Sequence, residues 1–179
     1  MIEDKAKLRK KMRALESALT EDYLRDSNEK IFNALISRRE YKEAEKIFIY
    51  YSVNKEIDTR KLIRHALKSG KTVALPKITG KGTMDAVVIK GEDELKADKY
   101  GIPAPISEKA LRPDEIDLVI VPGAAFTKDG LRLGKGGGYY DRFLSGCSAF
   151  KIALARKYMV LENIPVDEFD IKTDLVITD

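Results

Sequence analysis

The 179-residue chain contains one cysteine, Cys147, and one histidine, His65. A lone cysteine excludes an intramolecular disulfide and any multi-cysteine zinc site, and a lone histidine excludes a histidine-rich metal site. A Cys–His catalytic pair would have to join these two residues. His65 lies in Thr59–Ser69, where Leu62, Ile63, Ala66 and Leu67 share one helical face. It falls beside Arg64 and Lys68 on the other face, so it reads as a solvated surface residue. No apolar run approaches the roughly 18 residues that span a bilayer. Glycine, at 12 residues, is too sparse for collagen. Internal repeats, low-complexity tracts and Pro/Gly/Ser-rich linkers are missing. The charged opening Met1–Lys5 lacks the apolar stretch of a signal peptide, which leads us to expect a cytoplasmic protein without membrane contact.

What is present is a globular composition, 44% hydrophobic and 35% charged, which excludes wholesale disorder. The length fits one domain, expected to span residues 1–179. With so little cysteine and histidine, acid–base or metal chemistry must rest on carboxylates, lysines and arginines. The net charge of +4 is mildly basic, short of the excess of a dedicated nucleic-acid binder. The cations are uneven. Residues 5–13 hold six (Lys5, Lys7, Arg9, Lys10, Lys11 and Arg13) and no anion. Residues 128–142 hold Lys128, Arg132, Lys135 and Arg142 against Asp129 and Asp141. Two local patches in a near-balanced chain point to a small anionic ligand. The rival reading is a nucleic-acid or ribonucleotide-binding module on the 5–13 patch, which would show salt-dependent polyanion affinity and no turnover.

The patterning alternates helices with apolar strand-length runs. A helix is expected over 2–19, with Leu8, Met12, Leu15 and Leu19 on one stripe. Thr20 caps a second helix running to about Arg38, with Glu21 and Asp22 in its first turn. Asp58 or Thr59 caps a third that stops at Gly70, and a short helix covers 138–145. Strands are expected at Lys46–Ser52, at Thr72–Leu75 closed by Pro76, and at Met84–Ile89. Further strands are expected at Asp117–Val121, Lys151–Ala155 and Asp174–Thr178. Solid apolar strands alternating with helices indicate an α/β fold. The expected form is a three-layer sandwich with a mostly parallel central sheet covered by helices on both faces. Ligands in such folds sit beyond the carboxyl ends of strands, so the loops after Ser52, Val121 and Ala155 are the places to look.

The most informative stretch runs from Val121 to Phe143. It follows a buried strand, precedes a helix, and packs Gly134, Gly136, Gly137 and Gly138 around Lys135. Glycines let backbone approach a ligand closely, amides at a helix start favour an anion, and Arg132 and Lys135 add mobile positive charge. The combination describes a phosphate cradle. It matches neither G-x-x-x-x-G-K-[ST] nor G-x-G-x-x-G, because no Ser or Thr follows Lys135 and the sixth positions are Tyr139 and Asp141.

Arg132-Leu-Gly-Lys-Gly-Gly-Gly-Tyr-Tyr-Asp-Arg142, after a strand ending Val-Pro-Gly, closely resembles the signature of the 5-formyltetrahydrofolate cyclo-ligase family. Four weaker segments agree in order and spacing: Lys5–Arg9, Tyr51–Thr59, Tyr100–Pro105 and Pro165–Asp170. The resemblance implies a ring closure that consumes ATP with Mg²⁺ and turns 5-formyltetrahydrofolate into 5,10-methenyltetrahydrofolate. The attacking nitrogen belongs to the substrate, so no Ser or Cys nucleophile is needed.

By the same resemblance Lys5 and Arg9, four apart on one helical face, contact ATP phosphates. Arg132, Leu133, Gly134, Lys135, Gly136, Gly137, Gly138, Tyr139 and Tyr140 form the ATP-binding stretch. Lys135, Gly136, Gly137, Gly138 and Tyr139 also touch the folate, with Arg132 and Lys135 as the catalytic cations. Glu56 and Tyr51 become substrate contacts, and Asp141 and Asp170 hold Mg²⁺. Asp58 and Thr59 stay as a helix cap, and Lys7, Lys10, Lys11 and Arg13 as surface. At helical spacing one of Tyr139 and Tyr140 faces inward. Asp141 is expected at a loop–helix junction with few core contacts, so that its loss spares the fold. Ala104 and Phe169 depart from the usual family residues, which keeps open an ATP-dependent enzyme of the same scaffold with another substrate. The expected partner is a reduced folate, no nucleic acid is expected, and a monomer is the default.

Overall fold

The structure is a computed structural model that describes residues 4–179. The expected first turn of the opening helix, at residues 2 and 3, lies outside them. Asp4 caps α1 (Lys5–Ser17), accepting from the backbone N–H of Ala6 at 3.3 Å. Leu8 and Met12 form its buried stripe, whereas Leu15 is exposed. Thr20 caps α2 (Glu21–Ser37) through the N–H of Tyr23. Then follow α3 (Arg39–Glu43), β1 (Lys46–Ile49), α4 (Thr59–Lys68), β2 (Thr72–Gly80) and β3 (Thr83–Ile89). The chain continues through β4 (Leu95–Ala97), β5 (Pro103–Pro105), β6 (Ala110–Leu111), β7 (Leu118–Val121), β8 (Ala125–Phe126) and β9 (Arg132–Leu133). It closes with α5 (Tyr139–Ser145), β10 (Phe150–Ala155) and β11 (Leu175–Thr178).

The seven-stranded sheet has the order β11-β10-β7-β1-β2-β3-β6. The pairings from β11 to β2 are parallel, and those of β3 with β2 and β6 are antiparallel. Alternate residues of each parallel strand feed opposite faces. Ile47, Ile49, Leu118 and Ile120 join Ile31 and Leu35 of α2 and Leu62, Ile63 and Ala66 of α4 in one core. Phe48, Val119 and Val121 join Leu144 of α5 in the other. The sheet is therefore α/β, mostly parallel and covered on both faces. No helix among the described residues is long and apolar enough to cross a membrane.

Two local readings are corrected. Pro76 does not end its strand: β2 continues to Gly80, pairing antiparallel with β3. The pairing with β1 stops at Ala74, so Pro76 sits where β2 has a free side and its missing N–H costs no ladder bond. His65 is half-buried rather than solvated. Its Nδ1 meets the hydroxyl of Tyr41 at 2.7 Å, and the ring of Phe32 stands edge-on at 5.5 Å. Residues of α2 and α3 close over this side of α4, which its own helical wheel does not reveal.

Candidate active site

The carboxyl ends of β1, β7 and β10 converge on a cavity of about 170 Å³. All three loops singled out from the sequence contribute to it. Glu56 comes from the loop after β1, Pro122–Ala124 follow β7, and Arg156 and Tyr158 follow β10. Met12, Arg13 and Glu16 of α1 close the opening.

The loop that carries Glu56 is locked at both ends. Ser52 and Thr59 exchange hydrogen bonds, with the Ser52 N–H donating to Thr59 Oγ1 at 2.9 Å and the Thr59 N–H to Ser52 Oγ at 3.1 Å. Asp58 then caps α4 by accepting from the N–H of Arg60 at 3.0 Å. Glu56 folds back so that Oε2 accepts from the N–H of Val53 at 2.8 Å, while Oε1 forms an ion pair with Lys135.

Lys135 stands in the glycine segment. Gly136 and Gly138 have φ of +107° and +68°, left-handed conformations in which a side chain would be strained. Among the described residues, no protein acceptor meets the N–H groups of Lys135, Gly136 or Gly137. The segment is a wall shared by three cavities. Lys135 lines the first. Gly134, Lys135, Gly137 and Gly138 line a second, of about 240 Å³, faced by Pro76, Ile78, Ile102 and Ala104. Gly134, Gly136 and Gly138 line a third, of about 630 Å³, with Lys5, Arg9, Asp141 and Asp170.

α1 brings its cations here because Leu8 and Met12 pack on Ala125 and Leu133 of the β8–β9 arm. That packing turns Lys5 and Arg9 toward the glycine segment, and Arg9 Nε donates to Gly134 O at 2.7 Å. Lys5 donates to Asp167 at 2.7 Å and to Asp170 at 2.5 Å. Desolvation lowers the pKa of Lys5, but its bonds to these two carboxylates outweigh that and the net direction is upward. Lys7, Lys10 and Lys11 are exposed, whereas Arg13, also exposed, lines the first cavity, so the six-cation patch is divided between site and solvent.

Arg132 is not a mobile charge. It is 3% exposed, its Nη1 donates to Pro122 O at 3.1 Å, and Nη2 pairs with Asp141. Asp141 Oδ1 also accepts from the N–H of Ile171 at 3.1 Å. The first turn of α5 therefore carries an ion pair to a buried guanidinium, contrary to the expectation of few core contacts. Leu133 is buried against α1. Tyr140 is the inward-facing tyrosine, stacked on Phe48 at 5.9 Å, while Tyr139 covers Gly137. Burial pushes the Tyr140 hydroxyl well above the ordinary tyrosine range. Arg132 and Tyr140 line the second cavity, but Arg132 Nε and Tyr140 Oη are themselves buried and have no partner among the described residues.

Tyr51 does not join these residues: its hydroxyl donates to Glu92 at 3.3 Å, and it lines none of the three cavities. The adjacent Tyr50 lines the first cavity instead, its hydroxyl pushed far up by burial. Arg156 and Tyr158, which follow the end of β10, also line the first cavity, and no sequence motif marks them.

The whole chain, residues 1–179, matches the profile of the 5-formyltetrahydrofolate cyclo-ligase family. The chain belongs to that family. It is 33% identical to the 5-formyltetrahydrofolate cyclo-ligase of Mus musculus, covering 97% of this chain and 90% of that one. It is 31% identical to the cyclo-ligase of Escherichia coli strain K12 over 75% of this chain and 78% of that one. Among solved structures, the 5,10-methenyltetrahydrofolate synthetase of Aquifex aeolicus superposes with a TM-score of 0.88 at 33% identity. That match covers 97% of this chain and 89% of the other. In this cyclo-ligase family member the glycine segment, the Glu56 loop and the two aspartates meet at one end of the sheet.

Proposed function

We propose that the chain converts 5-formyltetrahydrofolate to 5,10-methenyltetrahydrofolate, using ATP with Mg²⁺ and releasing ADP and phosphate. One observation carries the reading: the cationic glycine segment is the common wall of the cavity holding Glu56 and the cavity holding Lys5, Arg9, Asp141 and Asp170. A formyl oxygen on one side and a γ-phosphoryl on the other meet at such a wall. The formyl oxygen attacks phosphorus, an O–P bond forms and the bond to ADP breaks. N10 of the folate then attacks the formyl carbon and loses its proton, and phosphate leaves with the former formyl oxygen. Phosphoryl transfer needs positioning and charge stabilisation, which this wall supplies through free amides and cations.

In this reading Lys5, Arg9 and the amides of residues 134–138 hold the triphosphate, and Lys135 neutralises charge at the moving phosphoryl. Arg132 acts from behind, holding Asp141. Mg²⁺ is typically held by one or two carboxylates with phosphate oxygens and water. Asp141 Oδ2 and Asp170 Oδ1 have no protein partner among the described residues, so each aspartate keeps an oxygen for the ion. When bound, Mg²⁺ would neutralise phosphate charge between them. Glu56 accepts hydrogen bonds from the amino-pyrimidine edge of the pterin, with Tyr50 beside it in place of Tyr51.

Turnover tests the reading directly. With 5-formyltetrahydrofolate, ATP and Mg²⁺, near-ultraviolet absorbance should report the methenyl product, with one ADP formed per ring closed. Product formed equally well without ATP overturns the proposal. Glu56→Gln keeps size and loses the charge-assisted acceptor, worth about 1.5–3 kcal/mol. The KM for the folate should therefore rise roughly 10- to 150-fold, while the KM for ATP stays nearly unchanged. Equal defects toward both substrates remove Glu56 from the folate site.

A further inference from the structure

Arg156 is 1% exposed, yet among the described residues it pairs with no carboxylate. Every acceptor it meets is neutral. Nε donates to Ser27 Oγ at 2.9 Å, and Nη1 to Lys55 O at 2.8 Å. Nη2 donates to Asn28 Oδ1 at 2.9 Å and to Glu56 O at 3.5 Å. Burying a guanidinium without a counter-charge is costly, and an apolar side chain could fill the same space without that cost. What only the guanidinium offers is a rigid planar fork of donors. One edge of the fork is anchored on α2, and the other grips two successive carbonyls of the loop that aims Glu56.

The same loop is held from elsewhere. Asn28 Oδ1 also accepts from the N–H of Asp58 at 3.2 Å, and Lys55 Nζ donates to Ser17 O and Leu19 O at 2.7 and 2.8 Å. Of these ties, only Arg156 reaches Glu56's own backbone. It also stands at the end of β10, the strand that borders β7, so it fixes the Glu56 loop relative to the sheet rather than to a neighbouring loop.

We propose that Arg156 is a positioning residue for folate recognition, acting through Glu56 by holding the Lys55 and Glu56 carbonyls. The inference rests on the assignment of Glu56 to the folate. A double-mutant cycle separates the two claims. Arg156→Met alone should raise the KM for 5-formyltetrahydrofolate about tenfold, the scale of one strong hydrogen bond lost, with the KM for ATP within about twofold. In a Glu56→Gln background the further rise should be under about twofold, because the group being aimed is already disabled. Arg156→Lys, which keeps the charge and one loop contact, should restore part of the affinity. If Arg156→Met does not fold, the cycle is run with Arg156→Lys and Glu56→Gln, and the same non-additivity is expected.

Multiplying effects on the folate KM, or an equal loss toward ATP, overturn the positioning role while leaving Glu56 in place. A lowered melting temperature with both KM values unchanged makes Arg156 merely structural and also overturns it. If Glu56→Gln alone leaves the folate KM unchanged, the Glu56 assignment and the Arg156 proposal fall together.

Discussion

Lys135→Ala is expected to lower kcat by about two to three orders of magnitude, as removal of a group that stabilises transition-state charge does elsewhere. The KM for ATP should change far less. In the resting protein the ammonium is paired with Glu56, and Lys135 lines both the first cavity, proposed above for the folate, and the second. In the proposed reading, folate binding would give Glu56 a new partner and free the ammonium for the oxygens between the formyl carbon and phosphorus. Charge builds up there during transfer, so the interaction is stronger in the transition state than in the ground state. In the proposed reading Lys5, Arg9 and the free amides would still hold ATP in the variant. The folate KM should rise modestly, because Glu56 loses the partner that holds it before substrate arrives. A loss confined to KM for ATP would make Lys135 an ordinary phosphate contact.

The pH profile provides a second readout of the same residue. Desolvation in the cavity wall lowers the pKa of Lys135 from the ordinary 10.5, with the charge of Glu16 pulling the other way. Lysine works here in its charged form. Activity should therefore be full at neutral pH and fall as pH rises through the lowered value, beginning below pH 10.5. The residual rate of Lys135→Ala should lack that alkaline limb.

How much of this was legible beforehand depends on how local the determining interactions are. Capping by Thr20 and Asp58, the apolar runs of β1, β7 and β10, and the three strand ends that meet at the cavity all follow from nearest neighbours in sequence. Tyr50 and Tyr51 mark where that stops. Beyond Ile49 the strand alternation no longer dictates which side chain faces which way, and the chain turns Tyr50 into the cavity and Tyr51 toward Glu92. Arg132 is a similar case. A glycine-rich, cation-bearing segment reads as mobile, but Arg132 is pinned by Asp141 nine positions on and by the carbonyl of Pro122 ten positions back. Arg156 was hidden because its partners lie about 100 and about 130 positions away, on a loop and a helix whose approach to β10 only the assembled sheet determines.

The Arg132–Asp141 pair changes what Asp141→Asn should do. A carboxylate at a solvated junction could be neutralised with little effect on stability. Asp141 instead faces a guanidinium that is 3% exposed, and it also fixes the Ile171 amide in the segment next to Asp170. Asparagine keeps an oxygen acceptor but not the charge, leaving Arg132 buried without a counter-charge. The expected loss is about 2 kcal/mol, less than full removal of a partner from a buried pair because shape and one acceptor survive. For a chain of this size that lowers the melting temperature by roughly 4–8 °C. Separately, with Asp141 as one of the two carboxylates proposed for Mg²⁺, its loss of charge should make half-maximal activity require on the order of tenfold more Mg²⁺. The two effects part company at saturating Mg²⁺ well below the melting transition, where turnover should recover substantially while the melting deficit of the ligand-free protein persists. An unchanged Mg²⁺ titration with a lowered melting temperature would leave Asp141 as the counter-charge of Arg132 and take it out of the metal site; the reverse pattern would mean that the buried pair contributes little and that the carboxylate is retained for the ion.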